Sequence, residues 1–175
     1  MNLSQKFPIA LIGAVATMAI VQPTVVFAIS AKVPSITVAA EPKAKDFLIQ
    51  GEEKYRKGDR QGAIEAFSRA IELDPNYVEA YYNRGTVRYI LRDYKGAIAD
   101  YNEALRINPN YAKAYVNRGI ARDDSGDSQG AIADYNEVVR INPNHAKAYK
   151  SRGNARRNLG DWQGAIGDYD RASAN

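Results

Sequence analysis

Arginine and aspartate recur in this chain at one fixed interval. Arg84, Arg118 and Arg152 are each followed four residues later by another arginine, Arg88, Arg122 and Arg156, and sixteen residues later by Asp100, Asp134 and Asp168. Guanidinium groups in a row can hold phosphate, and planar forks of this kind also grip carboxylates in pairs. The remaining candidates for chemistry are few. His145 is the only histidine, there is no cysteine, and Asp123, Asp124 and Asp127 form a small acidic cluster. That cluster lacks the alternating oxygens and terminal glutamate of a calcium loop. Without cysteine, disulfides, thiolate metal sites and a thiol nucleophile are excluded. No Gly-rich phosphate loop, nucleophile elbow or paired catalytic constellation is present, so no catalytic residue, cofactor or metal is assigned.

The first stretch of the chain settles what the arginines do. Gln50, Lys54 and Ala66 stand where the later stretches carry the first arginine, the second arginine and the aspartate. Arginine and aspartate therefore come and go together, which predicts an ion pair between two helices of one unit. On the surface such a pair would contribute about 0–1 kcal/mol. Identical residues in every unit also argue for framework over phosphate or nucleic-acid binding, and the mild formal charge of +4 agrees.

The positioning elements follow from the same period. Pro75, Pro109 and Pro143 are 34 residues apart, and so are Gly51, Gly85, Gly119 and Gly153, and Phe67, Tyr101, Tyr135 and Tyr169. The units are 44–77, 78–111, 112–145 and 146–175. Each reads as two amphipathic helices, in the second unit about Val78–Leu91 and Tyr94–Ile107. Asp59, Asp93, Asp127 and Asp161 are placed to cap the second helices, and the Asp-Pro or Asn-Pro pairs stop them. The glycines let two helices approach closely, and the aromatics fill the gaps between units. His145 and Trp162 replace tyrosines of other units, which predicts packing for both.

These motifs resemble the tetratricopeptide repeat (TPR) family. An aromatic stands at repeat position 4 (Phe47, Tyr81, Tyr115, Tyr149), glycine at 8, alanine at 20, an aromatic at 24 and a small or aliphatic residue at 27. The resemblance implies an all-α, right-handed superhelix of about four helical hairpins, in which a single hairpin cannot bury its apolar stripe and neighbours share a core. It also implies a concave groove lined by positions 2, 5, 6, 9, 12 and 13. Those are Glu79, Tyr82, Asn83, Thr86, Tyr89 and Ile90; Lys113, Val116, Asn117, Ile120, Asp123 and Asp124; then Lys147, Lys150, Ser151, Asn154, Arg157 and Asn158. They differ from unit to unit, unlike the framework. The expected partner is a protein or peptide segment, with Asn83 and Asn117 bonding its backbone. Some family members clamp chaperone C-terminal carboxylates. Lys150 and Asn154 match the start of that pattern, but Leu48 and Glu52 do not, and the chaperone clamp is not expected here.

The N-terminus carries different information. Lys6 is the only charged residue before position 29, Phe7 to Val21 is almost wholly apolar, and Val26 and Ala28 suit a cleavage site before Ile29. Residues 1–28 read as a secretory signal peptide, with an uncleaved membrane anchor as the alternative. Residues 29–43, with Pro34 and Pro42, read as a flexible linker to the 44–175 domain. The expected address is the periplasm, the thylakoid lumen or the exterior, and the repeats are similar to those of TPR proteins of photosynthetic bacteria. No membrane contact is expected after cleavage. In the fourth unit Ser173 and Asn175 make the last helix more polar, while Trp162, Ile166 and Tyr169 leave apolar surface for a homodimer or another partner.

Overall fold

The computed structural model describes residues 42–175. Eight helices run in order, α1 Ala44–Arg56, α2 Arg60–Leu73, α3 Val78–Ile90, α4 Tyr94–Ile107, α5 Ala112–Asp124, α6 Ser128–Ile141, α7 Ala146–Asn158 and α8 Trp162–Ala174. Each packs on its sequence neighbours, pairing as four hairpins, and the odd-numbered helices also touch one another in succession. No strand occurs among the described residues, and no described helix is long and apolar enough to cross a membrane. The fold is the all-α solenoid expected. The signal segment 1–28 and most of the 29–43 linker lie outside the described residues.

Local chemistry sets each boundary. The carboxylates of Asp59, Asp93, Asp127 and Asp161 accept from the amides of Gly62, Gly96, Gly130 and Gly164 at 2.8–2.9 Å, so α2, α4, α6 and α8 each begin on a satisfied donor. The bond from Gly62 holds the Asp59 carboxyl below its ordinary range. At the other end, Asp74, Asn108 and Asn142 have ψ of 94°, 91° and 96°, the extended geometry imposed by the proline that follows. Between the helices of a hairpin the chain passes through a left-handed residue, Gly58, Gly126 and Gly160 in three units and Arg92, at φ 62°, in the second.

The core is a run of alanines and rings. Ala63, Ala97, Ala131 and Ala165 are buried between the helices of their hairpins. Against the recurring glycines Gly51, Gly85, Gly119 and Gly153 lie the rings of Phe67, Tyr101, Tyr135 and Tyr169. A Cβ on Gly119 would stand 2.8 Å from Tyr135 Cε1, and one on Gly51 would fall inside contact distance of Phe67. These rings therefore fill space within their own hairpin as well as the gaps between units. Junctions between units are completed by the first helix of the next: Val87 packs with Phe67 and Ile64, and Ala155 with Tyr135 and Ile132.

Candidate functional site

The arginine ladder faces inward. Arg118 donates from Nη2 to Asp134 Oδ1 at 2.6 Å and from Nε to Oδ2 at 3.0 Å, and Arg122 adds a bond from Nη1 to Oδ2 at 2.9 Å. Arg84 with Arg88 surrounds Asp100 in the same way, and Arg152 with Arg156 surrounds Asp168. The pairing within one hairpin is as expected. Asp100, Asp134 and Asp168 are only 2–3% exposed, so these are buried pairs and the figure for a surface pair does not apply. Tyr81, Tyr115 and Tyr149 stack beneath the first arginine of each set at 5.2–5.6 Å.

Sequence reasoning missed the second grip of the same arginines. Nη1 of Arg84 donates to Ser68 Oγ at 2.9 Å, that of Arg118 to Asn102 Oδ1 at 2.6 Å, and that of Arg152 to Asn136 Oδ1 at 2.7 Å. Ser68, Asn102 and Asn136 belong to the preceding unit, at position 25. Each guanidinium thus ties two helices of its own hairpin and the hairpin before it. The signal was a polar residue at position 25 of every unit, hidden because its identity changes.

The groove candidates lie along the successive odd-numbered helices, and several are already engaged across unit boundaries. Asn83 Nδ2 donates to Glu52 Oε1 at 3.3 Å, and Asn117 Nδ2 donates to Tyr82 Oη at 3.1 Å. Tyr89 donates to Asp124 at 2.7 Å, a bond that with partial burial raises its phenol to about 12. Within their own hairpins, Asn154 Oδ1 accepts from Tyr169 at 2.9 Å, and Thr86 Oγ1 accepts from Tyr101 at 3.2 Å. Tyr82 is half-buried, with its ring 5.3 Å edge-on from Tyr111. Asp123 takes bonds from Ser128 and Asn158, and Asp127 is a cap, so the acidic cluster is spoken for by protein donors. No metal-binding cluster occurs among the described residues.

Besides a cavity of about 100 Å³ lined by Glu52, Tyr55, Phe67, Asn83, Thr86 and Val87 and one of about 160 Å³ lined by Tyr89, Ile90, Arg92, Tyr94 and Asp124, two larger ones lie along α5. One, about 210 Å³, is lined by Tyr82, Ala112, Lys113, Val116, Asn117, His145 and Lys147, and brings together α3, α5 and α7. Its floor is apolar and its rim carries two lysines at helix N-termini, where the helix dipole adds positive potential. Lys150 is exposed one turn beyond Lys147. The other, about 170 Å³, is lined by Ile120, Asp123, Asp124, Tyr135, Ser151 and Asn154. The face therefore runs from a basic stretch to an acidic one along α5. Arg157 is exposed and lines neither of these two, and Ile90, also exposed, belongs to the cavity beside Tyr89.

His145 and Trp162 depart from the packing expected of them. His145 is half-buried and caps α7, its Nδ1 accepting from the Ala148 amide at 3.1 Å. Trp162 is 64% exposed. Its counterpart Tyr94 packs against Tyr89, the rings tilted at 46° with centroids 5.8 Å apart, whereas the residue equivalent to Tyr89 in the last unit is Arg157, which offers no ring.

Comparison with known proteins agrees with this architecture. A tetratricopeptide-repeat model matches residues 50–112 and 116–175. The crystal structure of MamA is similar with a TM-score of 0.73 and 28% identity, over 75% of this chain and 77% of that one. The first TPR of Spaghetti (RPAP3) bound to the HSP90 peptide SRMEEVD is similar with a TM-score of 0.66 and 27% identity, over 67% of this chain and 94% of that one. MamA from Desulfovibrio magneticus RS-1 shares the fold, with a TM-score of 0.71 at 23% identity over 75% of each chain. No curated protein matches significantly. This is a fold typical of protein–protein interaction and generally non-enzymatic, and the chain belongs to the tetratricopeptide repeat family.

Proposed function

We propose that this chain is an exported interaction module that binds a polypeptide segment along its concave face and serves as an assembly or scaffolding factor. The observation that carries the reading is the cavity at the meeting of α3, α5 and α7. Tyr82 and Val116 supply an apolar floor, Asn117 keeps its side-chain carbonyl without a partner among the described residues, and Lys113 and Lys147 frame the opening. That combination suits a segment with one apolar side chain and a nearby carboxylate. The similar TPR of Spaghetti holds an acidic peptide, which supports this choice of ligand class, although the residues of the chaperone clamp are not reproduced here. Export rests on residues 1–28, whose charge, apolar run and small residues suit a secretory signal.

Random linear peptides selected on the wild-type chain should be enriched in acidic residues. They should lose affinity about tenfold or more for the Lys113→Glu/Lys147→Glu variant, and bind Lys95→Glu, on the exposed side of α4, as they bind wild type. Equal binding to all three would place the site elsewhere. N-terminal sequencing of the mature protein tests export, with Ile29 the expected first residue and Met1 the result against cleavage.

A further inference from the structure

The three internal junctions state a rule for what sits on the outward face of an even-numbered helix. At each, the incoming helix brings an arginine that donates to position 25, namely Ser68, Asn102 or Asn136. Three residues after that arginine it brings a small apolar side chain, Val87, Ala121 or Ala155, toward the isoleucine and ring of the preceding hairpin. The same isoleucine is half-buried at positions 64, 98 and 132.

On α8 this face is built and unfilled among the described residues. Ile166 is 60% exposed and Trp162 64%. At position 25 stands Asp170, exposed, where the internal junctions have neutral acceptors. A carboxylate there is a stronger acceptor for a guanidinium than serine or asparagine, and it opposes an apolar or acidic neighbour. A second copy stacked end to end fits poorly. Its α1 carries Gln50 in place of the arginine and Glu53 in place of the apolar residue, both exposed, so a carboxylate would meet Ile166 beside Asp170.

We propose that the outward face of α8 receives an amphipathic helix of a different protein, carrying an arginine and, three residues on, a small apolar residue. The arginine pairs with Asp170 and the apolar residue covers Ile166. This surface is separate from the groove, so the two readings stand or fall independently.

A test uses the whole chain and a lactam-locked helical peptide of the α5 sequence, residues 112–124, whose Arg118 and Ala121 supply the pattern. A short helix needs the lock because thirteen residues are marginally helical alone. Trp162, the single tryptophan, reports binding by a change in its fluorescence. The peptide should bind. Affinity should fall about tenfold or more with Asp170→Lys in the chain, and by a similar factor with Arg118→Gln in the peptide, an arm that leaves the chain's folding untouched. Lys113→Glu/Lys147→Glu should bind the peptide as wild type does. No binding, or binding indifferent to both the Asp170 and the arginine substitutions, would overturn the proposal. So would light scattering that shows the chain alone dimerising and Asp170→Lys or Ile166→Asp dissolving the dimer, because a second copy would then own the face.

Discussion

Arg118 and Asp134, sixteen residues apart, meet through two parallel hydrogen bonds of 2.6 and 3.0 Å, and the carboxylate is 2% exposed. Two arginines share this one buried acceptor. Asp134→Ala should therefore cost about 3 kcal/mol, since it strands two partly buried cations, and Arg118→Ala should cost less because Arg122 stays bonded. The double variant should be less destabilised than the sum, with a coupling of about 1–3 kcal/mol in urea melts. Full additivity would mean that the pair acts independently.

Glycine in α5 and glycine in α8 should respond oppositely. A Cβ on Gly119 would lie 2.8 Å from the Tyr135 ring, so Gly119→Val should destabilise by about 3 kcal/mol through overpacking. Gly167 has nothing within 4 Å of a built Cβ, so Gly167→Ala should stabilise by about 0.5–1 kcal/mol through helix propensity alone. Thermal melts of the two variants check both signs.

The turn of the second hairpin holds Arg92 at φ 62°, where the other three hairpins use glycine. Its exposed bond to the Tyr94 hydroxyl, 3.0 Å, offsets little of the steric cost. Arg92→Gly should raise stability by about 0.5–1 kcal/mol, and Gly126→Ala, the reverse experiment at φ 93°, should lower it by about 1 kcal/mol. Equal stability of Arg92→Gly and wild type in urea melts would show that the turn is unstrained.

Alkaline pH should weaken the fold in a defined window. Burial raises the phenols of Tyr101 and Tyr111 from 10.0 to about 12, and burial pushes Tyr135 higher still. A group held neutral by the fold contributes stability that is complete below its unfolded pKa, about 10, and lost as pH rises toward its folded value. Urea midpoints should fall between about pH 10 and 12, and tyrosinate absorbance should show a late-titrating class that joins the main class on unfolding. Tyr101→Phe should shrink both effects. A single tyrosine titration in the native protein would contradict the assignment.

Much of the framework was legible because each unit repeats its own evidence. The capping aspartates, the prolines and the paired Arg84 and Asp100 all recur at one interval, so a single chain served as its own comparison. Burial was not legible: nothing in the period says that Asp134 is sealed beneath Arg118 and Arg122, since depth depends on how hairpins stack. The groove was the hardest part. Asn83 and Asn117 carry amides suited to a peptide backbone, yet each gives a hydrogen to the adjacent unit, because side chains on successive first helices face one another as well as the solvent. Trp162 misled for a related reason. An aromatic packs only where a neighbour offers a surface, and Arg157 replaces the tyrosine that would have done so.

The arginine that grips both its own hairpin and the one before it makes the array a directional polymer. Every interior unit presents a guanidinium backward and an acceptor forward, while the first unit carries Gln50, a neutral amide, in place of the guanidinium and offers Ser68 forward. Interior units are consequently interchangeable links. Excising 78–111 would bring Arg118 to Ser68, and duplicating it would bring a second Arg84 to Asn102, both donor–acceptor pairs of the kind already in use. Whole units can therefore be lost or gained between the first unit and the last without leaving a junction unpaired.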